Sequence, residues 1–420
     1  MRDRVTFVHT ADLHLDAPFA GLTADDARIG RELAEATFEA FRRVVDVCLE
    51  RRVDFLVIAG DAYNAADKSL RAQLRFRAEM LRLAEAGIEV FVAAGNHDHA
   101  SGWSARLELP ENVHTFPTDH VGRFEVVRDG DLVAAVYGRS FARRAETENL
   151  ALGYRRDGAE PLAIGVLHAN VGGDTDYDPY APASLSDLRA AGLDYWALGH
   201  IHKQEVLARD PWIAYAGSPQ GLSPKETGEH GCLVVSASSA GTIEVEPVPT
   251  APIGWLQLAV DVAAAAGVDD VRQLVDDACE RARTGAPHAL VARVRLTGRT
   301  PAHAELARPG LVDQLAEELR VELASRSPWL WLDRLEDATA RPIDLAEVRS
   351  GSDFAAETVR VADGLAADAP TLEELVAELY APVSTTLGGS YTPSLSSPAL
   401  VERARDAALD LLLAEGGEGR

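Results

Sequence analysis

Lysine is nearly missing from this 420-residue chain: of 41 basic residues only Lys68, Lys203 and Lys225 are lysine. Any contact to phosphate would therefore fall mainly to arginine, which binds it through a bidentate fork. Cysteine is scarce as well. Cys48, Cys232 and Cys279 lie far apart and form no C-x-x-C pair, which argues against a zinc ribbon or a disulfide framework and fits a reducing cytoplasm. No run of about 18 uninterrupted apolar residues occurs, so no membrane-spanning helix is expected. The opening MRDRVTFVHTADLH lacks the apolar centre of a secretory signal. Internal repeats and long low-complexity tracts are absent too.

What is present is a soluble globular composition, 47% apolar and 25% charged, long enough for two or three domains. The formal net charge is −25, which at first sight disfavours a polyanionic partner. Residues 1–250 carry net −13 and the remaining 170 carry net −12, so acidity per residue is greater in the tail. Acids that serve as metal ligands would be neutralised by their cations. Net charge thus neither supports nor excludes a nucleic-acid substrate.

Short strand-like runs at 4–9, 53–60 and 88–95 alternate with helical spacing over 31–50 and about 68–86, where Leu33, Phe38, Phe41, Val44, Val45 and Cys48 mark one face of the first helix. This alternation predicts βαβ crossovers and a largely parallel sheet. Further strands are expected at 132–137, 162–168, 194–199, 212–216, 231–235 and 242–246. The expected fold class is α/β: a two-layered β-sandwich flanked by helices over residues 1–250. A smaller α+β capping domain is expected over 251–350, with strands at 255–262 and 289–296 around a helix at 268–283. C-terminal helices at 371–380 and 398–414 are expected within 351–420, joined by a linker at 388–398.

Five segments concentrate His, Asp and Asn at expected strand ends: Asp12-Leu13-His14, Gly60-Asp61, Gly95-Asn96-His97-Asp98, His168, and Gly199-His200-Ile201-His202. Loops at the C-terminal edge of an α/β sheet are where sites are built. On an extended backbone Asp12 and His14 would point the same way, as would His200 and His202. Carboxylate, imidazole and amide donors suit Mn(II), Fe(II) or Zn(II). Each segment alone is weak: a D-x-H occurs by chance, a buried histidine is more often core than ligand, and G-N-H-D can be a simple turn. In this order, each closing a strand, they point to one metal site.

The ordered set D-x-H, G-D, G-N-H-D, H and G-H-x-H resembles the calcineurin-like metallophosphoesterase superfamily. The wording of residues 7–16 (FVHTADLHLD), 194–203 (DYWALGHIHK) and 215–219 (YAGSP) is similar to its SbcD-type DNA-repair exonuclease branch. The resemblance covers residues 4–250, with RVRLTG at 293–298 extending it weakly. It implies one divalent cation, Mn(II) being the expected ion, on Asp12, His14, Asp61 and His202. A second would lie on Asp61, Asn96, His168 and His200, with Asp61 bridging. Such a pair activates a water for in-line attack on phosphorus, and His97 would stabilise charge or protonate the leaving oxygen. The chain departs from the pattern at Asn64, where the superfamily often has Asp or His. Asn can hydrogen-bond but cannot shuttle a proton.

The resemblance also implies DNA as substrate, an SbcC-like coiled-coil ATPase gripped by the C-terminal helices, and a possible homodimer. Those helices packing back on the capping domain is the equal alternative. Arg71, Arg75 and Arg82 share one helix face and Arg139, Arg143 and Arg144 cluster, but a solvated or ion-paired face is the favoured reading for both. Competing functions are a small-molecule phosphodiesterase or phosphatase using the same metals, and a non-catalytic scaffold for an ATPase. His9, Asp98, Tyr215, Gly217 and Ser218 are expected to be structural. His99, His114, His120, His230, His288 and His303 are expected on surfaces or loops.

Overall fold

The computed structural model describes residues 4–22, 26–64, 69–101, 107–175, 177–387 and 397–414. The chain divides into two compact units, Met1–Leu256 with Ala286–Val291, and Gln257–Gly285 with Ala292–Arg420.

In chain order the strands of the first unit are β1 (Arg4–Thr10), β2 (Phe55–Ala59), β3 (Glu89–Ala93), β4 (Val113–Thr115), β5 (Gly122–Arg128), β6 (Asp131–Gly138), β7 (Ala163–His168), β8 (Tyr195–Gly199), β9 (Glu205–Arg209), β10 (Trp212–Tyr215), β11 (Gly231–Ser238) and β12 (Ile243–Pro249). They form two six-stranded sheets, ordered β12-β11-β1-β2-β3-β4 and β5-β6-β7-β8-β10-β9. β1 to β4 run parallel, as do β6, β7, β8 and β10. The helices are α1 (Ala27–Arg51), α2 (Leu70–Glu85) and α3 (Leu185–Ala190).

The sandwich follows from alternation along strands that are apolar on both faces. Phe7, Phe55, Val57 and Phe91 of one sheet meet Ile164, Val166, Tyr195 and Ala197 of the other in a shared core. Phe7 stacks on Phe55 with centroids 4.9 Å apart and takes the edge of Tyr195 at 5.3 Å. Truncating one of these rings to alanine would cost about 3–5 kcal/mol. The outward residues Val8, Leu56 and Ile58 pack under Phe41, Val44, Phe76 and Met80 of α1 and α2. All six residues that marked the α1 face are buried. Asp26 caps the helix by accepting from the amides of Arg28 and Ile29 at 2.8 and 2.9 Å.

The second unit centres on a three-stranded sheet ordered β13-β14-β15, from β13 (Ile253–Asp261), β14 (Ala289–Thr297) and β15 (Leu330–Asp337). Its helices are α4 (Val268–Gly285), α5 (His303–Leu306), α6 (Leu311–Ala324), α7 (Leu345–Ser350), α8 (Phe354–Ala367), α9 (Ala369–Leu387) and α10 (Ser397–Ala414). Ala355 and Val359 of α8 bury against Leu409 of α10. Asp406 and Asp410 of α10 pair with Arg299 and His303, so α10 does pack back on the unit's own body. Residues 388–396 of the expected linker lie outside the described residues.

Strands β4, β5, β9 and β15 and helices α3, α5, α6, α7 and α8 were not expected from the sequence. β5 and β6 form a hairpin turning at Asp129 and Gly130, both at positive φ (55° and 90°), an Asp-Gly signal of the usual kind. No helix among the described residues is long and apolar enough to cross a membrane.

Candidate metal centre

Every segment singled out in the sequence lies at or just beyond the C-terminal end of a parallel strand. Asp12 and His14 follow β1, Asp61 follows β2, Asn96 and His97 follow β3, His168 ends β7, and His200 and His202 follow β8. The extended-backbone expectation for Asp12 and His14 is overturned. Both adopt positive φ (51° and 42°), as do Asp61 (51°) and His200 (97°). The loop after β1 instead lies along the end of β2, the amides of Asp12 and His14 donating to Gly60 O and Asp61 O at 3.0 Å each. Non-glycine residues in this region carry strain that clusters at functional sites.

Glycines leave room for the cluster. A Cβ on Gly60, itself at φ +96°, would stand 2.7 Å from His168 Cγ. One on Gly95 would fall on Asp61 Oδ1, and one on Gly199 would fall on the carbonyl of Ala59. The G in G-D, G-N-H-D and G-H-x-H is thus a packing requirement of the groups beneath it.

Three groups of donors converge with ligand atoms all within 4.8 Å of one another: Asp12, His14 and His202; His14, Asp61 and His97; Asp12, Asp61 and His168. His14 Nε2 and His202 Nε2 face each other at 3.1 Å. Asp61 Oδ2 lies 3.9 Å from His14 Nε2 and 3.5 Å from His168 Nε2. Asn96 Oδ1 is 2.9 Å from that same His168 nitrogen. His200 stands a little apart and belongs to none of the three groups. Its amide donates to Asp12 Oδ2 at 3.0 Å, its Nε2 meets the carbonyl of Asp178 at 2.8 Å, and its ring packs 5.2 Å from His168.

The electrostatics fit cations. Burial pushes the carboxyls of Asp12 and Asp61 above the usual range, Asp12 to about 8, each being almost sealed from solvent. Burial likewise disfavours the imidazoliums, lowering His168 to about 3, His200 to about 4, and His14 well below its ordinary value, the neighbouring histidines adding to the effect on His14. His202 goes the other way, to about 9: burial opposes its charge, but the hydrogen bond to Glu226 and the charge of Asp12 outweigh it. Burial that disfavours charge on carboxyls and imidazoles alike would be relieved by divalent cations, which favour the ionised carboxylate and take the lone pair of the neutral imidazole. His14 Nδ1, buried, finds no hydrogen-bond partner among the described residues. Donors about 2.1 Å from one ion stand roughly 3.0–3.4 Å apart, which is the spacing of the facing His14 and His202 nitrogens.

Residues 5–204 match the family of calcineurin-like phosphoesterases, and residues 255–340 match the middle domain of metallophosphoesterase YhaO. Over 346 residues the chain is 38% identical to an uncharacterized metallophosphoesterase, YhaO, of Bacillus subtilis, a match spanning 82% of this chain and 84% of that protein. The chain belongs to the calcineurin-like metallophosphoesterases. Likeness to a DNA double-strand break repair protein and to a nuclease subunit is more distant. It is 28% identical over 267 residues to the DNA double-strand break repair protein Mre11 of Methanopyrus kandleri, covering 57% of this chain and 55% of that one. It is 27% identical over 258 residues to the SbcD component of the nuclease SbcCD of Bacillus subtilis, covering 53% and 63%. The likeness to YhaO is therefore both longer and stronger than the SbcD-type likeness noted in the sequence.

Around the donors of this metallophosphoesterase, supporting residues lock the loops. Asp98 accepts from Ala62 N at 2.8 Å and Gly95 N at 2.7 Å, tying the β2 and β3 loops together. His97 Nδ1 meets the carbonyl of Asn64 at 2.8 Å, its amide donates to Asp61 Oδ1 at 2.9 Å, and its ring meets that of His14 edge-on. The contact made by Asn64 is thus through its backbone, which any residue type would supply. His9 is sealed between Tyr195 Oη and Leu198 O, and Tyr215 Oη bonds Ala169 and Val171. His230, expected on a surface or loop, lies in a loop but is buried against Ser218, and His114 in β4 and His303 in α5 pair with Glu89 and Asp410. These are corrections: each has a partner distant in sequence.

Sequence reasoning missed Glu226, whose Oε2 lies 3.4 Å from His202 Nδ1, and Tyr177, whose hydroxyl accepts from the His202 amide at 3.3 Å. It also missed a cleft of about 950 Å³ beside His202, lined by Tyr177, Lys203, Gln204, Ser223, Lys225 and Glu226 among others. Two of the chain's three lysines lie there, both exposed. The arginine face of α2, by contrast, is spent on acids: Arg71 on Asp16 and Glu35, Arg75 on Glu35, Arg82 on Asp46 and Glu79.

Proposed function

We propose that this metal-dependent phosphoesterase hydrolyses phosphodiester bonds in DNA with two divalent cations, Mn(II) being the expected ion. Asp12, His14, Asp61 and His202 hold one ion, and Asp61, Asn96, His168 and His200 hold the other. The observation that carries the reading is the position of Asp61, whose Oδ2 stands between His14 and His168 at 3.9 and 3.5 Å, where one carboxylate serves both groups. Bound there, two cations would supply a lowered pKa for an attacking water and charge stabilisation for the phosphate. The chain's own part is to place and protonate. With Nδ1–H given to the Asn64 carbonyl, His97 presents Nε2 to the reacting phosphate, to stabilise charge or protonate the leaving oxygen. Asp98 keeps that loop in place. Lys203 and Lys225 line the adjoining cleft, where they suit phosphates flanking the scissile one.

Nucleic acid as substrate draws support from the Mre11 and SbcCD relatives. The same likeness supports an SbcC-like ATPase partner. α8, α9 and α10 line an apolar groove of about 520 Å³ that includes Val361, Leu375 and Leu379, the kind of surface that takes an amphipathic helix. A small-molecule phosphodiesterase or phosphatase is the second reading, since the same donor set and the calcineurin-like phosphoesterase match serve both. A non-catalytic scaffold is disfavoured because every proposed ligand residue is present in the sequence. Release of nucleotides from linear duplex DNA with Mn(II), measured beside hydrolysis of cyclic nucleotides, separates the readings. Turnover of the small substrate alone ends the nuclease proposal.

A further inference from the structure

The clustered imidazoles differ in what holds their second nitrogen. A backbone carbonyl does so for three of them: Ala59 O for His168, Asp178 O for His200 and Asn64 O for His97. His14 Nδ1 has no partner among the described residues. His202 alone meets a carboxylate there, Glu226 Oε2 at 3.4 Å from Nδ1.

That carboxylate is itself fixed on both oxygens. Oε2 accepts from Leu222 N at 3.2 Å and Oε1 from Ser223 Oγ at 2.9 Å. The loop bearing it is pinned at each end. Ser218 N donates to His202 O at 3.0 Å, and the buried His230 reaches Ser218 through Nδ1 at 3.0 Å and Glu226 O through Nε2 at 3.2 Å. Gly221 leaves room for this arrangement, since a Cβ there would stand 2.9 Å from both Glu226 O and His230 Nε2.

We propose that Glu226 is the positioning residue of His202: it accepts the Nδ1–H bond, fixes the tautomer that leaves Nε2 bare, and sets the affinity of the cation held with Asp12 and His14. The inference rests on the reading of His202 as a metal ligand. A carboxylate behind a ligating imidazole orients the ring and raises its basicity, more than a neutral carbonyl does. The two cation positions are therefore unequal by construction. The one served by His202 is tuned by a charged neighbour from a separate loop, and the one served by His168 and His200 is tuned only by backbone.

Titrating Mn(II) into the metal-free full chain by calorimetry tests this. In Glu226→Ala one of the two sites is expected to weaken about 10- to 100-fold while the other stays within about threefold. Glu226→Gln, whose amide oxygen accepts the same bond, should recover affinity to within about threefold of the wild type. In a His202→Ala background, Glu226→Ala should add no further loss, because the two residues act as one unit. Unchanged affinity at both sites in Glu226→Ala, or an equal loss with and without His202, overturns the proposal. Wild-type protein that takes up no Mn(II) overturns it together with the metal reading. Should Glu226→Ala fail to fold, Ser223→Ala frees one carboxylate oxygen and is expected to weaken the same site about threefold; unchanged affinity there is equally decisive against the idea.

Discussion

Replacing Gly95 with alanine would set a methyl on Asp61 Oδ1 and 2.9 Å from His168 Cδ2 and Cε1. Neither neighbour is free to yield. Asp61 Oδ1 accepts the His97 amide, and His168 is held between Ala59 O at 3.0 Å and Asn96 Oδ1 at 2.9 Å, with no exposed surface. Ordinary contact between heavy atoms needs about 3.5 Å, so Asp61 must retreat by about 1 Å. Overpacking of that kind costs about 1–3 kcal/mol of stability. A misplacement of about 1 Å at a reacting centre costs about 100-fold in rate. The expected Gly95→Ala protein is folded, melts several degrees lower, binds Mn(II) more weakly and has lost about two orders of magnitude in kcat on a chromogenic phosphodiester. Gly364 in α8 is the control: a Cβ there meets nothing within 4 Å, and Gly364→Ala should stabilise by about 1 kcal/mol with unchanged activity. Gly95→Ala with wild-type metal affinity and turnover would falsify the claim that this glycine exists to seat Asp61.

His97→Ala is expected to lower turnover by about 100- to 10,000-fold while metal content, measured by mass spectrometry, and melting temperature are retained. Unchanged turnover refutes its role in the reaction, and loss of metal would make it a ligand instead. Replacing Lys203 and Lys225 together by alanine should flatten the salt dependence of DNA binding by about two phosphate contacts, a change of about 1.8 in log–log slope, and leave a single small phosphodiester untouched. An identical slope in the double variant removes DNA from that cleft. Burial lowers the pKa of His9 to about 3 from 6.5. Its neutral form therefore contributes stability that is fully present above pH 6.5 and is lost as pH falls toward 3. At pH 5 that loss is about 2 kcal/mol, to be read as the difference in urea midpoints between pH 7 and pH 5. His9→Gln should shrink the difference, and an equal pH dependence in that variant would sink the assignment.

The sheet core and the gathering of Asp, His and Asn side chains at one sheet edge were legible because both depend on short-range rules. Strands apolar on both faces announce a covered parallel sheet, and donors recurring immediately after such strands must gather at one edge. The loop geometry was not legible. Asp12 and His14 converge through left-handed turns braced on β2, not through strand parity, and nothing local says so. Glu226 stands 24 positions after His202 in a stretch with no recurring pattern, so its carboxylate looked like one surface acid among many. The arginines of α2 read correctly as a paired face, but their partners Glu35 and Asp46 come from α1 and could only be named with both helices in place. α6 and α8 went unread because their apolar stripes are thin, alanine supplying much of what they bury.

The donors come from both layers of the sandwich: Asp12, His14, Asp61 and Asn96 hang from one sheet, His168, His200 and His202 from the other. Ions seated there would stitch the two leaves together along one margin. Binding that requires both leaves in register adds its free energy to folding, about 4 kcal/mol when free ion exceeds the dissociation constant 1,000-fold. Chelation should then lower the melting temperature as well as stop catalysis. In a cell starved of the ion, the abundance of this protein would fall along with its activity, through faster clearance of loosened molecules.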